Sequence, residues 1–176
     1  DFVIITGDFL MAEAQRLADF RKVNDGLTSE VVDIEHIFNE FSSGRQDVTA
    51  IRDFVRHLHQ KGSNLRYLLL FGEGSYDYLD RYPNNINIVP VYESRESMHP
   101  VRSFSSDDFY GLLEDHEGTW KETFGSEGNE SLDIGIGRIP VANLREATGV
   151  IDKIIHYSEQ PITYGSWRKK VLFVAD

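Results

Sequence analysis

Short apolar runs alternate with amphipathic stretches in the first half of the chain. Residues 2–6 and 67–71 are almost continuously apolar, which is typical of strands covered on both faces of a sheet. A further strand is predicted at about residues 30–34. Apolar residues spaced by three and four predict helices at about residues 9–24 and 48–61. This order of strands and helices indicates a parallel sheet with right-handed crossovers.

Each of these two helices is predicted to have an apolar stripe and polar or glycine residues at its ends. The stripes are Leu10, Ala14, Leu17, Phe20 and Val23 in the first helix, and Val48, Ile51, Val55 and Leu58 in the second. Asp8 and Asp47 stand where an N-cap side chain would accept a backbone N–H. Gly26 and Gly62 stand where the helices are predicted to end.

The second half of the chain is less regular. Residues 88–92 predict a strand, although Pro90 favours a sheet edge. Residues 109–113 and 119–124 are predicted to pair as a hairpin. A strand at residues 132–137 is followed by a helix that begins near Asn143, where Glu146 completes a partial capping box. A last strand is predicted at residues 171–175.

These elements predict a single α/β domain over residues 1–176. Helices are expected on both faces of a mostly parallel sheet, which gives three layers as in flavodoxin-like proteins. Because the sequence starts and stops on predicted strands, we expect a longer parent protein with segments on both sides.

Composition narrows the possible functions. The chain has 176 residues, 40% of them hydrophobic, and a net charge of −11. This charge argues against binding nucleic acids or anionic membranes. The absence of cysteine excludes disulfides, thiolate zinc sites and a thiol nucleophile within these residues. No apolar run approaches the roughly 20 residues that span a bilayer, so no membrane insertion is expected.

An acidic glycine turn, residues 72–77, follows the apolar run at residues 67–71. It lacks the third glycine of a dinucleotide fingerprint and the lysine of a P-loop, and Glu73 and Asp77 would repel a phosphate. These acids would instead attract a hard cation such as calcium, for which Asp107 and Asp108 are further candidate ligands. Alternatively, Asp77 and Asp107 cap turns. The sequence spacing leaves both interpretations open.

Glycines leave one face of the strand predicted at residues 132–137 nearly bare. Gly135 and Gly137 alternate with Ile134 and Ile136, so another backbone or side chain can approach closely. Arg138 follows at the strand end where open α/β sheets usually place their sites. Because acidic residues are abundant in this chain, we expect Arg138 to form a salt bridge with one of them.

Several segments, in this order, resemble the gingipain-type cysteine peptidases of peptidase family C25. The most specific is residues 67–77, Tyr-Leu-Leu-Leu-Phe-Gly-Glu-Gly-Ser-Tyr-Asp, and residues 106–111 and 136–140 continue it in register. The opening strand and residues 44–55 are also similar, so the resemblance spans nearly the whole chain. It is closest to the sortase-like members attached to the type IX secretion system of Bacteroidetes.

The resemblance implies a caspase-like catalytic region of two α/β subdomains, of which this chain matches the first. The histidine and cysteine of the family's dyad lie in the second subdomain, so no catalytic residue is assigned here. The family's calcium binding implies Asp77 and Asp107 as metal ligands, whereas Glu73 stands where relatives often have Asp.

The resemblance also implies a function for the parent protein. We expect an exported cysteine peptidase or sortase that acts on proteins at the bacterial cell surface. The following catalytic subdomain would be the partner of this chain. The alternative is a stand-alone flavodoxin-like binding module without catalytic activity.

Overall fold

The computed structural model describes residues 1–62, 64–94, 103–115, 117 and 131–174. The strands are β1 (Phe2–Thr6), β2 (Ser29–Asp33), β3 (Tyr67–Phe71), β4 (Tyr92–Glu93), β5 (Ser105–Ser106) and β6 (Gly135–Ile139). The α-helices are α1 (Met11–Asp25), α2 (Ile34–Ser42), α3 (Val48–Gln60) and α4 (Leu144–Glu159). Short 3-10 helices lie at Asp8–Leu10, Asp108–Gly111, Pro161–Thr163 and Ser166–Lys169.

The central sheet consists of four parallel strands in the order β2-β1-β3-β6. Strands β1 and β3 lie in its middle, which explains why their residues are apolar at almost every position. Strands β4 and β5 form a separate antiparallel ribbon. The parallel sheet predicted from the sequence is therefore confirmed.

Helices cover both faces of this sheet. Helices α2 and α3, with the 3-10 helix Asp108–Gly111, pack on the face that carries Ile5 and Leu70. Helices α1 and α4 pack on the opposite face, which carries Ile4 and Phe71. The result is the predicted three-layer α/β architecture with one core on each side of the sheet.

The predicted helix boundaries are partly confirmed. Asp47 is the N-cap of α3, and its Oδ1 accepts a backbone N–H of the first turn at 2.8 Å. Gly26 ends α1 in the left-handed conformation, with φ of 70°. The prediction for Asp8 is wrong, because a 3-10 helix begins at Asp8 itself and follows Gly7. Val23 is also outside the buried stripe, with 88% of its surface exposed.

Helix α2 was not predicted. The strand expected at residues 30–34 ends one residue earlier, and Ile34 starts the helix instead. Asp33 is the N-cap, and its Oδ1 accepts the N–H of Glu35 at 3.1 Å. With Ile37 and Phe38, Ile34 forms the buried stripe. A helix of nine residues has so few apolar positions that its sequence pattern cannot be distinguished from the end of the preceding strand.

The strand predicted at residues 88–92 is also wrong for most of its length. Only β4, Tyr92–Glu93, is a strand, and it pairs with β5. The carbonyls of Val89, Pro90 and Val91 accept hydrogen bonds from side chains rather than from a neighbouring strand. An apolar run in the sequence therefore does not distinguish a β-strand paired in a sheet from an extended segment whose carbonyls bond to distant side chains.

Three further predictions near the end of the chain change. Residues 109–113 begin within a 3-10 helix rather than a hairpin strand, and their proposed partner at 119–124 lies outside the described residues. Strand β6 starts at Gly135, because Asp133 before it turns to accept the Leu113 N–H at 2.9 Å. Residues 171–174 form no strand.

Candidate functional site at the carboxyl edge of the sheet

The acidic glycine turn and Arg138 lie at the same edge of the sheet. Strands β3 and β6 are parallel neighbours, with Leu70 paired to Arg138 and Phe71 to Ile139. The chain leaves β3 at Gly72, whose N–H donates to the carbonyl of Ile139 at 3.0 Å. Open α/β sheets place their sites at this carboxyl edge, so it is the candidate functional region.

Arg138 forms a bidentate ion pair with Asp107. Its Nε donates to Asp107 Oδ2 and its Nη2 to Asp107 Oδ1, each at 2.7 Å. The two side chains are only 14% and 22% exposed. Such a fork is stronger than a single charged hydrogen bond and fixes the relative orientation of both groups. The expected salt bridge of Arg138 with an acidic residue is confirmed.

The same guanidinium also binds three backbone carbonyls. Nη1 donates to the carbonyls of Gly72 at 2.9 Å and Val89 at 2.7 Å, and Nη2 donates to that of Pro90 at 3.2 Å. We call these three carbonyls and the two carboxylate oxygens of Asp107 the Arg138 cage. The cage joins the turn after β3, the segment before β4 and the residue that follows β5.

Two tyrosines complete the anchoring of the segment before β4. The hydroxyl of Tyr110 donates to the carbonyl of Pro90 at 2.6 Å, and that of Tyr78 donates to the carbonyl of Val91. Burial raises the pKa of Tyr78 to about 12 and the pKa of Tyr110 well above its usual value. Both phenols therefore stay protonated donors at neutral pH.

Gly74 explains why this turn contains glycine. A Cβ atom at Gly74 would lie 2.8 Å from the carbonyl oxygen of Val89 and 3.1 Å from Arg138 Nη1. The glycine is therefore required for close packing against the Arg138 cage. This packing supports the sequence argument against a phosphate-binding loop.

The Asp77 side chain caps the loop that follows it. It is only 7% exposed, and its Oδ2 accepts the N–H groups of Arg81 at 2.6 Å and Tyr82 at 2.8 Å. Its backbone N–H donates to Ser75 Oγ at 3.0 Å. This is the turn-capping arrangement that the sequence allowed as an alternative to metal binding.

Both predicted metal ligands, Asp77 and Asp107, bind other groups within the described residues. Asp107 is engaged with Arg138 through both oxygens, and Asp77 with two backbone N–H groups. No group of three or more His, Asp or Glu side chains lies close enough to hold a metal in the described part of the chain. Calcium binding by Asp77 or Asp107 stays a prediction.

Glu73 lines a neighbouring polar cavity of about 380 Å³. Its wall also includes Glu93, Ser75 and Asn84. Burial raises the pKa of Glu93. The other candidate, Asp108, begins a 3-10 helix, and its backbone N–H donates to Ser106 Oγ at 3.2 Å.

A second buried arginine was not identified from the sequence. Arg52 of α3 is 7% exposed, and its Nε donates to the carbonyl of Leu112 at 2.6 Å. Its Nη2 donates to the carbonyl of Glu117 at 3.1 Å. The available signal is its spacing, since Arg52 lies four residues after Val48 and three before Val55, within the apolar stripe.

Comparison with known proteins decides the family. The sequence model of "Peptidase family C25" matches residues 1–176. The chain belongs to peptidase family C25. The family resemblance read from the sequence is thereby confirmed. A comparison with curated proteins gave no match.

Two solved structures of C25-related proteins resemble this chain. The first is dimeric latent PorU from Porphyromonas gingivalis, with 28% sequence identity and a TM-score of 0.73; the match covers 97% of this chain and 16% of PorU. The second is the complex of the RgpB pro- and mature domains from the same organism, with 20% identity and a TM-score of 0.59. That match covers 89% of this chain and 28% of the RgpB chain, and it supports the fold alone.

The coverage defines what this C25 chain represents. It spans 16% of the PorU chain and 28% of the RgpB chain, which is a small part of the length of each solved relative. Among the described residues, no helix is both long and apolar enough to cross a membrane.

Proposed function

We propose that this chain is the non-catalytic first subdomain of a gingipain-like cysteine peptidase or sortase. The observation that carries the proposal is a C25 match over the entire chain combined with the absence of cysteine from it. A cysteine peptidase needs a thiolate nucleophile, so the nucleophile must come from residues outside this sequence. The role of the chain is then to support the catalytic subdomain by packing against it.

The topology disfavours a further strand beside β6 in the same sheet. Strand β1 connects to β2 through α1 on one face, and β2 connects to β3 in the opposite direction through α2 and α3 on the other face. Because crossovers are right-handed, every connection on one face moves the chain towards one edge of the sheet, and every connection on the other face moves it towards the opposite edge. Because α4 lies on the α1 face, a following strand beside β6 would make a rare left-handed crossover.

The apolar residues 171–174 are consistent with that interpretation. They are 76–89% exposed, and two short 3-10 helices connect them to the end of α4. Four consecutive apolar side chains that are exposed to this extent indicate a contact surface. We propose that they form a strand of the following subdomain, which performs the reaction. In that subdomain a thiolate attacks a peptide carbonyl, and water or an amine resolves the acyl-enzyme.

The function is tested by comparing two proteins, residues 1–176 alone and the longer protein that contains them. The longer protein should cleave or transfer peptides and lose this activity on thiol alkylation, whereas residues 1–176 should be inactive. Replacement of the nucleophilic cysteine by serine in the longer protein is the matched control. Thiol-independent activity of the short protein would contradict the proposal, and a longer protein without any peptidase activity would favour a binding module.

The setting of the parent protein is part of the same proposal. From the resemblance to the sortase-like members of family C25, we propose an exported protein at the bacterial cell surface that acts on proteins carried by type IX secretion. Cell fractionation followed by detection of the parent protein tests this localisation, and recovery only from the cytoplasm would contradict it.

A further inference from the structure

Five oxygen atoms surround one guanidinium group at the carboxyl edge. They are the members of the Arg138 cage: the carbonyl oxygens of Gly72, Val89 and Pro90 and both carboxylate oxygens of Asp107. Backbone carbonyls and a carboxylate are also the ligands that calcium takes in proteins. An oxygen set of this kind requires a positive charge, which either an ion or a side chain can supply.

The Arg138 guanidinium supplies this charge with all of its donors. A guanidinium carries five N–H groups, one on Nε and two on each Nη. Nε and Nη2 bind the two oxygens of Asp107, Nη1 binds the carbonyls of Gly72 and Val89, and Nη2 also binds Pro90. The five oxygens of the cage therefore match the five donors.

Charge and space both disfavour a second cation at Asp107. The charges of Arg138 and Asp107 cancel, and a divalent ion on the same carboxylate would lie close to the guanidinium and be repelled by it. The cage is also closed on the side of Gly74, where even an added Cβ would lie 3.1 Å from Arg138 Nη1. The cage as folded has neither the net charge nor the room that an ion needs.

We propose that Arg138 is the resident cation of the carboxyl edge and that Asp107 serves it instead of ligating calcium. Of the two predicted calcium ligands, Asp107 is thereby excluded, and Asp77 and residues outside the cage remain candidates. The inference does not depend on the peptidase function, because it concerns only contacts within this chain.

The first test compares the calcium response of the wild-type chain with that of Asp107→Asn. Melting temperatures are measured for each protein in millimolar calcium chloride and in EDTA. The calcium-induced shift should be the same in both proteins within about 1 °C, although the variant melts lower because it loses charged hydrogen bonds. A wild-type shift of several degrees that disappears in Asp107→Asn would overturn the proposal.

The second test removes the resident cation. Arg138→Gln leaves the Asp107 carboxylate and the three carbonyls without a positive charge, so this variant should show a larger calcium-induced rise in melting temperature than the wild type. Arg138→Lys keeps a positive charge and should show no such gain. If Arg138→Gln does not fold, its refolding is followed while calcium is titrated. A calcium response at millimolar concentrations no larger than that of the wild type would contradict the assignment of a cation site.

Discussion

The carboxyl edge and the C-terminal segment, residues 160–174, achieve order in different ways. At the carboxyl edge, Arg138 and Tyr110 are largely or fully buried, and their polar atoms bond to the backbone of distant segments. In the C-terminal segment, Arg168 stacks between Tyr157 and Tyr164, with 4.0 and 4.5 Å from its Cζ to the ring centroids. These contacts are local, and residues 171–174 beyond them remain exposed.

This difference separates what the chain specifies by itself from what it offers to a partner. The contacts of the carboxyl edge lie within the described residues, so its geometry is a property of this domain. The C-terminal segment has local order, but each of its large apolar side chains is more than half exposed. Burial supplies most of the free energy that holds a segment in place. Substitutions in the two regions should therefore have very different effects.

The largest effect is expected from removal of the cation of the carboxyl edge. Arg138→Ala leaves a partly buried carboxylate and three carbonyls without their donor, and should lower the free energy of unfolding by about 3–5 kcal/mol. Urea unfolding measures this loss. Arg145→Ala, at an exposed position in the first turn of α4, is the matched control and should stay within about 0.5 kcal/mol of the wild type. Equal effects of the two substitutions would contradict the central role of Arg138.

The next effect tests the close packing of the glycine turn. Gly74→Ala places a Cβ 2.8 Å from the Val89 carbonyl oxygen and should destabilise the domain by about 1–3 kcal/mol. Gly149 in α4 has nothing within 4 Å of its added Cβ, so Gly149→Ala should instead stabilise by about 1 kcal/mol. Thermal unfolding measures the expected loss of stability in Gly74→Ala and the expected gain in Gly149→Ala. A neutral Gly74→Ala would mean that the turn has more room than its contacts indicate.

The raised pKa of Tyr78 predicts a loss of stability at alkaline pH. The folded-state pKa of Tyr78 is raised to about 12, above the unfolded value near 10, so its contribution is complete below pH 10 and is lost as the pH rises towards 12. Because Tyr78 is partly exposed, the loss of unfolding free energy at pH 11 should be about 1 kcal/mol or less. Urea unfolding at pH 9 and pH 11 measures it. Tyr78→Phe should weaken the pH dependence, and an unchanged slope would disprove this assignment.

The smallest effect on this domain is expected in the C-terminal segment. Val174→Ser changes a side chain that is 88% exposed and should alter the free energy of unfolding of residues 1–176 by less than about 0.5 kcal/mol. Val55→Ser, at a fully buried position of α3, is the matched control and should cost about 2–4 kcal/mol. In the longer protein Val174→Ser should reduce stability or activity, and a silent result there would argue against the proposed contact surface.

The sequence predicted the elements whose signals are local. The apolar runs of β1 and β3 and the N-cap Asp47 were read correctly, because each follows from a few neighbouring residues. The sequence could not identify Asp107 as the acid that pairs with Arg138, since 31 positions separate the two residues. The role of Arg52 was missed for the same reason, because its acceptors are carbonyls about 60 residues away. Long-range polar contacts to the backbone leave little trace in side-chain patterns.

Anchoring through the carbonyls of Val89, Pro90 and Val91 has a consequence for how this domain tolerates change. Every residue type carries the same carbonyl group, so the acceptors persist whatever side chains occupy these three positions. The donors are Arg138, Tyr110 and Tyr78, and few other side chains could replace them. The route of this loop is thus encoded at a distance. Val91 is only partly buried, so a library that randomises Val91 should retain more folded members than one that randomises Tyr78, which donates to the Val91 carbonyl.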